Sequence, residues 1–464
     1  MPGLKRCLEP LAHLLSVNMY YWIYNVILHV ALPIIIGLLL VKKRLQRGLK
    51  PRFGVLDSDL RHLPQPVIWL HAVSLGEAMA AIPLLRALKR AWPHGTLVVS
   101  TITETGKEVV SRQLDGIARH CYAPLDFPWA VSRYVRGLNP SLFILMESEF
   151  WPNLLRCLHR HHIPVCLVNG RISSRSYARY RLVPGFTRQV FGNLNLALVQ
   201  SERDRERLHA LGVPQEHVHV TGNMKFDQVH DFVSVALTRS DLGLGDEDRL
   251  WVAGSTHAQE ETEILQSYQD ILNVIPKVIL LLAPRHIERI DQIEQGIREF
   301  GMVPLRRSRI SSQAMNPLVR GPRVILLDTR GELASLYRLG EFCFVGGTLV
   351  PVGGHNLLEP AQWGKPVLFG PFTDHCRDVA QLLIDEGAGI EVKNRDDLVK
   401  QIERLAADCE LAKEMGRRAI AAVEQRRGVV ARNVQKIGAL INQCGNFSGS
   451  PRGQADELSA VSQP

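Results

Sequence analysis

The chain alternates short apolar runs with amphipathic stretches, and this order constrains its fold more than any other feature. The apolar runs lie at 67–73, 96–103, 142–146, 164–170 and 196–201 in the first half, and at 250–256, 278–286, 324–328, 342–348 and 366–370 in the second. Strands that alternate with helices are typical of parallel sheets covered on both faces. The sequence therefore predicts an α/β protein of two doubly wound, Rossmann-like domains. Because ligands of such sheets bind beyond the carboxyl ends of the strands, we expect a site in a central cleft that the two domains face.

The same patterns predict how the chain is divided. We expect a leader at 1–18, a membrane anchor at 19–41, a first Rossmann-like domain at 42–227, a linker at 228–248, a second Rossmann-like domain at 249–425, a C-terminal helix at 426–445 and a disordered tail at 446–464. The tail is rich in Ser, Gly, Pro and Gln, a composition typical of disorder. Both Met1 and Met19 are compatible with the start of the protein.

The anchor is predicted from residues 19–41, which contain no charged side chain. About 20 apolar residues suffice for a helix to cross a bilayer. Aromatic residues cluster at the start of the segment and basic residues follow its end, which places the body of the protein in the cytoplasm. A cleaved signal peptide is an alternative, but it would have a shorter apolar core and a small-residue cleavage site. An interfacial or tilted helix is a second alternative, because Asn25, His29 and Pro33 interrupt the apolar segment.

Charge and cysteine usage narrow the class of protein further. The chain has 55 Lys and Arg against 46 Asp and Glu, a formal net charge of +9. Such an excess favours an anionic partner: nucleic acid, anionic lipid or a phosphorylated substrate. The eight cysteines include no CxxC pair, which argues against a zinc ribbon or a disulfide framework and fits a reducing compartment.

Three acidic residues follow predicted strands. Glu77 comes after the first strand and a glycine turn, where a helix is predicted to begin. Stabilising the helix dipole is the ordinary role of such a residue, and acting as a general base at the edge of a cleft is the functional one. Glu147 and Glu149 follow the strand at 142–146 and share one face of an extended segment. They either pair with a cation or orient a substrate hydroxyl; a metal site is disfavoured, because no His or Cys falls at ligand spacing.

Arginines recur every four residues at Arg171, Arg175 and Arg179. On a helix they would form one cationic stripe. A solvated surface is the ordinary interpretation of such a stripe. A ridge that binds phosphate groups is the alternative, because guanidinium groups match phosphate geometry.

The second half contains the signals for a nucleotide. Arg285 and His286 follow an apolar strand, where a cation is placed either for a phosphate or for a salt bridge. Gly353 and Gly354 allow a tight turn before a helix predicted at 357–363. A glycine turn that leads into a helix N-terminus is suited to an anion, and Glu359 in the first turn can accept hydrogen bonds from ribose hydroxyls. The run matches neither a Walker A loop nor GxGxxG.

Seven motifs follow one another along the chain: HAVSLGE (71–77), MESEFWPN (146–153), NGRISSRS (169–176), TGNMKFD (221–227), AGSTHAQEE (253–261), APRHIER (283–289) and VPVGGHNLLEPA (350–361). Together they resemble one family, the 3-deoxy-D-manno-octulosonic acid (Kdo) transferases of lipopolysaccharide synthesis. The resemblance implies a GT-B fold, an inverting transfer that needs no metal or cofactor, and an inner-membrane anchor with the catalytic body in the cytoplasm.

The resemblance also implies roles for individual residues. Glu77 corresponds to the proton acceptor, and Glu147 and Lys225 to the pair that stabilises the transition state. The residues expected to contact the CMP moiety are Arg285, His286, Gly331, Glu332, Leu333, Asn356, Leu357, Leu358 and Glu359. Arg171 and Arg175 are expected to bind the acceptor. The expected partners are CMP-Kdo, lipid IV(A) or Kdo-lipid IV(A), and inner-membrane lipids, with no nucleic acid.

Two other classes of protein are compatible with parts of the pattern. One is a two-domain glycosyltransferase that uses a UDP sugar on a lipid. The motifs at 147–152 and 353–360 favour a Kdo transferase over it. The other is a basic, membrane-tethered binding protein without catalysis, which leaves the paired carboxylates and the nucleotide-like turns unexplained.

Overall fold

The structure, a computed structural model, describes residues 3–41, 48–228, 237–310 and 321–444, with side chains described from Met19 onward. The predicted tail at 446–464 and the basic residues at 42–47 lie outside these residues, as do the side chains of the leader at 1–18 and residues 229–236 of the expected linker. The chain forms two compact units. The first contains 1–228 and 428–464, and the second contains 229–427.

The first unit is built on a seven-stranded parallel sheet. Its strands are β1 (Val67–His71), β2 (Thr96–Thr101), β3 (Ala118–Tyr122), β4 (Leu142–Met146), β5 (Val165–Gly170), β6 (Leu196–Val199) and β7 (Val218–Val220). Their order across the sheet is β3-β2-β1-β4-β5-β6-β7. The order reverses between β1 and β4, the kind of switch point beside which ligands of doubly wound sheets bind.

Helices cover both faces of this sheet. They are α1 (Gly3–Val41), α2 (Leu49–Arg52), α3 (Leu75–Ala91), α4 (Glu104–Gln113), α5 (Pro128–Leu138), α6 (Pro152–Arg160), α7 (Ser174–Tyr180), α8 (Pro184–Phe191) and α9 (Glu202–Ala210). The central strands β1 and β4 are buried along their whole length, as a sheet covered on both faces requires. On one face Trp69 packs edge to face against Phe143 of the neighbouring strand, with ring centroids 4.8 Å apart.

The second unit repeats the architecture. Its strands are β8 (Arg249–Thr256), β9 (Val278–Pro284), β10 (Val303–Arg306), β11 (Arg323–Leu326), β12 (Phe342–Val345), β13 (Val367–Phe369) and β14 (Gly389–Glu391), in the order β10-β11-β9-β8-β12-β13-β14. Its helices are α10 (Glu260–Val274), α11 (Ile290–Glu299), α12 (Leu333–Leu336), α13 (Leu358–Ala361), α14 (Arg377–Asp385), α15 (Arg395–Ala407) and α16 (Cys409–Glu424). The predicted class, an α/β protein with two doubly wound parallel sheets, is confirmed.

The chain ends its described part on the first unit. Helix α17 (Val429–Cys444) packs on α3, and Ile437 and Ile441 join the core of that unit. The carboxylate of Asp227 accepts hydrogen bonds from the backbone N–H groups of Gly428 and Val430, at 2.8 and 2.6 Å. This carboxylate therefore stabilises the start of α17, where N–H groups lack partners within the helix.

The apolar segment at 19–41 is part of α1, a single helix of 39 residues. Residues Met19–Val41 are long and apolar enough to cross a membrane. The helix also continues towards the N-terminus through residues 3–18, so the boundary expected at residue 19 is not a break in secondary structure.

Candidate functional site

Glu77 lies at the carboxyl edge of the first sheet, in the first turn of α3. Ser74 caps the helix, and its hydroxyl accepts the backbone N–H of Glu77 at 3.2 Å and donates to the Glu77 carboxylate at 3.2 Å. The other carboxylate oxygen accepts the backbone N–H of Val73 at 2.7 Å. This is a variant of the capping box, and it fixes the position of the carboxylate through sequence-local contacts.

Capping alone does not distinguish Glu77, because Ser201 and Asp204 make a similar arrangement at the start of α9. The surroundings of Glu77 do distinguish it. Burial, with contributions from the charges of Glu147 and Glu149, raises the pKa of Glu77 from 4.5 to about 7. A carboxylate with a pKa near neutrality is matched to general base catalysis at physiological pH.

Glu147 is held at the end of β4 in an uncommon backbone conformation. Its φ is +53°, and Asn169, at the end of the neighbouring strand β5, has a φ of +54°. Non-glycine residues rarely adopt this left-handed region, and they concentrate at functional sites when they do. Burial raises the pKa of the Glu147 carboxyl, while the charges of Lys225 and Arg171 and a hydrogen bond from Asn169 oppose the rise.

Lys225 is positioned by a short chain of polar side chains. Asn169 donates from Nδ2 to Glu147 at 3.3 Å, and its Oδ1 accepts the backbone N–H of Met224 at 3.0 Å. Asn223 accepts the backbone N–H of Lys225 at 3.0 Å. These contacts connect the strand end that carries Glu147 to the turn that carries Lys225, so the structure places the two residues in one electrostatic environment.

Arg171 and Arg175 are both exposed, but they do not lie on one helix with Arg179. Ser173 caps α7 by accepting the backbone N–H of Ser176 at 3.1 Å, so the helix begins at Ser174 and contains Arg175 and Arg179 alone of the three. The three arginines therefore do not meet the condition for one helical stripe. Arg171 instead follows β5 directly, and its charge lowers the pKa of Glu147.

In the second unit, the expected phosphate-binding residues follow β9. Arg285 and His286 are exposed, and the Arg285 backbone N–H bonds to Thr256 at 2.9 Å. His286 lies edge to face with His257, which in turn approaches His355 with 2.8 Å between their Nε2 atoms. Burial lowers the pKa of His355 to about 4, with the Arg285 charge as the next cause. Burial also lowers the pKa of His257, so both rings favour the neutral form, in which one ring can donate a hydrogen bond to the other.

Asn356 and Glu359 lie where the glycine turn ends. Asn356 donates to Glu359 at 3.4 Å and accepts the backbone N–H of Leu358 at 3.2 Å. Burial raises the pKa of Glu359 to about 7, while Asn356 and Arg285 oppose the rise. The side chains of Leu357 and Leu358 are fully buried, which leaves their backbone atoms as the groups that can contact a ligand.

The helix expected at 357–363 is shorter than predicted. The helix α13 is a single turn, Leu358–Ala361, and the chain turns again before β13. One turn carries little of a helix dipole, so the anion-binding argument from a helix N-terminus does not apply here. Glycines shape the turn instead, since Gly353 and Gly354 have φ values of +104° and +81°.

The turn at Gly331, Glu332 and Leu333 leads into α12. Gly331 has a φ of +87°, and a Cβ there would meet open space, so the conformation rather than crowding favours glycine. Thr329 donates to the Glu332 carboxylate at 2.5 Å, and Arg307 lies 3.4 Å from it. Glu332 therefore already has two partners in its own unit.

Glu260 organises the second unit's loop and was missed in the sequence. Its fully buried carboxylate accepts the backbone N–H groups of Gly347, Thr348 and Leu349 at 2.7, 3.1 and 2.9 Å, and that of His257 at 3.2 Å. A Cβ on Gly346 would lie 2.7 Å from the carboxylate. The only signal in the sequence was an acidic residue at the start of the helix after β8. The sequence does not distinguish such a residue from one that only stabilises the helix dipole.

The structure thus brings the expected residues together in two groups, one in each unit. Glu77, Glu147 and Lys225 share one group, and Arg285, Asn356 and Glu359 the other. Within the described ranges, no cluster of three or more His, Cys, Asp or Glu residues has an arrangement that could hold a metal ion.

Known proteins resemble the chain over most of its length. Residues 47–228 match the family model described as 3-deoxy-D-manno-octulosonic-acid transferase (kdotransferase). A 3-deoxy-D-manno-octulosonic acid transferase of Haemophilus influenzae is 33% identical over 420 residues, 89% of this chain and 97% of that protein. One of Aquifex aeolicus is 31% identical over 338 residues, 73% of this chain and 85% of that protein.

A solved structure shares the fold at low identity. The UDP-GlcNAc 2-epimerase of Neisseria meningitidis bound to UDP-GlcNAc aligns with a TM-score of 0.55 and 14% identity, over 81% of this chain and 99% of that chain.

Proposed function

The chain belongs to the Kdo transferase family, and on that premise we propose that it transfers Kdo from CMP-Kdo to the lipid A precursor lipid IV(A), with inversion at the sugar. One observation carries this proposal, the environment of the Glu77 carboxylate. The carboxylate is buried and is fixed by hydrogen bonds from Val73 and Ser74, and its pKa is raised to about 7. A residue that only capped a helix would not need two acidic neighbours that disfavour its charge.

In the proposed reaction, Glu77 accepts the proton of an acceptor hydroxyl as its oxygen attacks the anomeric carbon of Kdo. The bond from that carbon to the CMP phosphate oxygen breaks, and its electron pair leaves with CMP. Attack opposite to the leaving group inverts the configuration. Positive charge develops on the sugar ring, where the Glu147 carboxylate stabilises it, and Lys225 offsets the carboxylate of Kdo.

The donor is recognised in the second unit according to this proposal. Arg285 is an exposed cation suited to the CMP phosphate, with His286 beside it. The ionised form of Glu359 accepts hydrogen bonds from the ribose hydroxyls. Backbone groups at 331–333 and 356–358 supply the remaining contacts, because the leucine side chains at 357 and 358 are buried.

The acceptor is recognised in the first unit. Arg171 and Arg175 are exposed, and their guanidinium groups suit the phosphates of lipid IV(A) or of Kdo-lipid IV(A). Such an acceptor lies in a bilayer. The long apolar segment Met19–Val41 is consistent with attachment to the inner membrane, with the catalytic units in the cytoplasm.

A binding titration tests which nucleotide the protein recognises, independently of the transfer reaction. Calorimetry of the full-length protein with CMP and with UDP should give tighter binding of CMP, and Arg285→Ala should weaken it. Preference for UDP would contradict a CMP-Kdo donor and support the alternative of a UDP-sugar transferase.

A further inference from the structure

One face of α1 is held on the first unit. The less exposed residues recur at helical spacing from Tyr21, which is 3% exposed, through Tyr24, Leu28 and Ile35 to Leu39, which is 6% exposed. This spacing covers about 18 residues, or about 27 Å at 1.5 Å per residue. The length is close to the thickness of a bilayer core, about 30 Å.

The contacts of this face are polar and specific. Tyr24 donates from its hydroxyl to the carboxylate of Asp126 at 2.9 Å. The same carboxylate accepts the backbone N–H groups of Asn153 and Leu154 at 3.0 and 2.8 Å. The side chains of Asn25 and Asn153 bond to each other at 2.7 Å. Asp126 therefore joins α1 to the first turn of α6.

Aromatic and cationic contacts extend the attachment. Phe186 of α8 packs on three tyrosines of α1, with the ring centroid of Tyr21 at 5.3 Å. Arg156 lies over the Tyr21 ring at 4.2 Å, and His29 packs edge to face on Phe127 at 5.2 Å. These contacts come from α5, α6 and α8 and their flanks, so α1 is part of the first unit's structure.

The rest of the α1 surface is apolar and exposed over more than half of the helix circumference, and it includes Val26, Ile36 and Leu40. We call one row along this surface the apolar strip: Ile23, Ile27, Val30, Ile34 and Leu38. Trp22 is 67% exposed beside it. In the turn before α8, Leu182 and Val183 are 80% and 44% exposed.

A helix that crosses a bilayer would have to leave the first unit. Its whole circumference would then meet hydrocarbon, Asn25 would lose its amide partner, and the half-buried Asp126 carboxylate would lose the Tyr24 hydroxyl. Polar groups in the hydrocarbon are unfavourable unless they are paired. A helix in the plane of the interface keeps every one of these contacts and buries the apolar strip in lipid.

We propose that α1 lies in the plane of one membrane leaflet, with the apolar strip inserted among the acyl chains and the less exposed face of the helix held on the first unit. The occupant of the strip is an anionic phospholipid leaflet. Arg160, at the end of α6, and Arg181, in the turn before α8, are exposed, and their charge complements anionic headgroups. This inference rests on the membrane location proposed above and replaces a spanning anchor with an interfacial one.

Spin labels placed one at a time at Ile27→Cys, Ile34→Cys and Leu38→Cys test the geometry in vesicles of zwitterionic and anionic phospholipid. The background carries serine at native cysteines that react with the label, and circular dichroism with a cooperative thermal transition verifies folding. Accessibility to oxygen and to a nickel chelate gives the depth of each label. The in-plane helix predicts similar depths, about 5–10 Å below the headgroups, at all three positions.

A spanning helix predicts different depths, because residues 27 and 38 are about 16 Å apart along the helix axis. A depth gradient of that size would overturn the proposal while leaving the membrane location intact. A protein that does not bind the vesicles would overturn both. Dipolar broadening between singly labelled molecules would show that two copies of the chain lie close together at the strip. That result would contradict lipid as the partner of the apolar strip and would assign the strip to a second copy of the chain.

An epitope tag ahead of Met1 supplies a second measurement on the protein in cells. The in-plane helix keeps the tag on the same side of the membrane as the catalytic units, so protease added to spheroplasts should spare it. Cleavage of the tag in intact spheroplasts would support a spanning helix and overturn the proposal.

Discussion

Asn169 donates a hydrogen bond of 3.3 Å to the carboxylate of Glu147, and both residues adopt left-handed backbone conformations at the ends of adjacent strands. The other side-chain atom of Asn169 holds the turn that contains Lys225. Asn tolerates the left-handed region better than most residues. Asn169 can therefore adopt this backbone conformation while its side chain positions both Glu147 and the turn that contains Lys225.

Replacing Asn169 should therefore impair catalysis more than folding. Asn169→Gly keeps the left-handed conformation accessible and removes both hydrogen bonds, so we expect kcat to fall about 10- to 100-fold with little change in the KM for CMP-Kdo. Asn169→Ala adds backbone strain and should also lower Tm. A glycine variant with normal kcat would contradict the positioning role.

The raised pKa of Glu77 predicts the pH dependence of the reaction. A general base must be ionised, so kcat/KM should rise with pH through about 7 and level off above it. Glu77→Gln should lower kcat by a factor of about 100 or more. Glu202→Gln, an exposed acid in the first turn of α9, is the matched control and should leave the rate and the profile unchanged.

Glu77 also makes the stability of the folded protein depend on pH, and this contribution to stability falls over the range in which kcat/KM rises. The pKa of Glu77 is about 7 in the folded protein and 4.5 in the unfolded chain. Between these pH values the folded state therefore binds more protons than the unfolded state. Stability from this group is therefore present at low pH and is lost as pH rises through 7. Glu77→Gln removes that dependence, and thermal unfolding at pH 8 should show a Tm no lower than that of the wild type. A large drop in Tm would indicate that Glu77 serves mainly as a cap.

The affinity for CMP should depend on the ionisation of Glu359. Burial raises its pKa to about 7, so the fraction of carboxylate available to ribose hydroxyls grows as pH rises through neutrality. We expect Glu359→Gln to weaken CMP binding about tenfold at pH 8, measured by calorimetry. The CMP phosphate titrates in the same range, so the informative quantity is the difference between the two pH profiles. Parallel profiles would contradict a contact through the carboxylate.

Glu260 should matter for folding of the second unit. Glu260→Ala would leave four backbone N–H groups without their carboxylate partner, two of them buried, and we expect it to cost about 3 kcal/mol or more. Glu263→Ala, at an exposed position in the first turn of the same helix, should cost less than about 1 kcal/mol. Urea unfolding of the two variants measures the difference, and equal losses would contradict the organising role of Glu260.

The sequence predicted the central strands well and the edge strands poorly. β1, β4, β8 and β9 are continuous apolar runs, because both faces of a central strand are buried. Strands β3, β7, β10 and β14 were not predicted. At β10 each residue is half-exposed, so the run VPLR carries no strong apolar pattern.

The candidate site was predictable where one residue type at a strand end determines the chemistry, as for Glu77 and Arg285. It was not predictable where side chains distant in sequence meet. Glu260 binds N–H groups almost 90 residues away, and Asn169 acts on residues in two other motifs. The sequence alone does not show which acidic side chain lies next to which backbone N–H groups.

The most direct test of the proposed function is a mass measurement. Folded wild-type protein is incubated with CMP-Kdo and lipid IV(A), and the lipid is analysed by mass spectrometry beside Glu77→Gln. We predict that the wild type adds one or more Kdo residues to the lipid and releases one CMP for each, whereas the variant binds CMP and adds none. A wild-type protein that binds CMP but leaves the lipid mass unchanged, or a Glu77→Gln variant with normal turnover, would contradict this account.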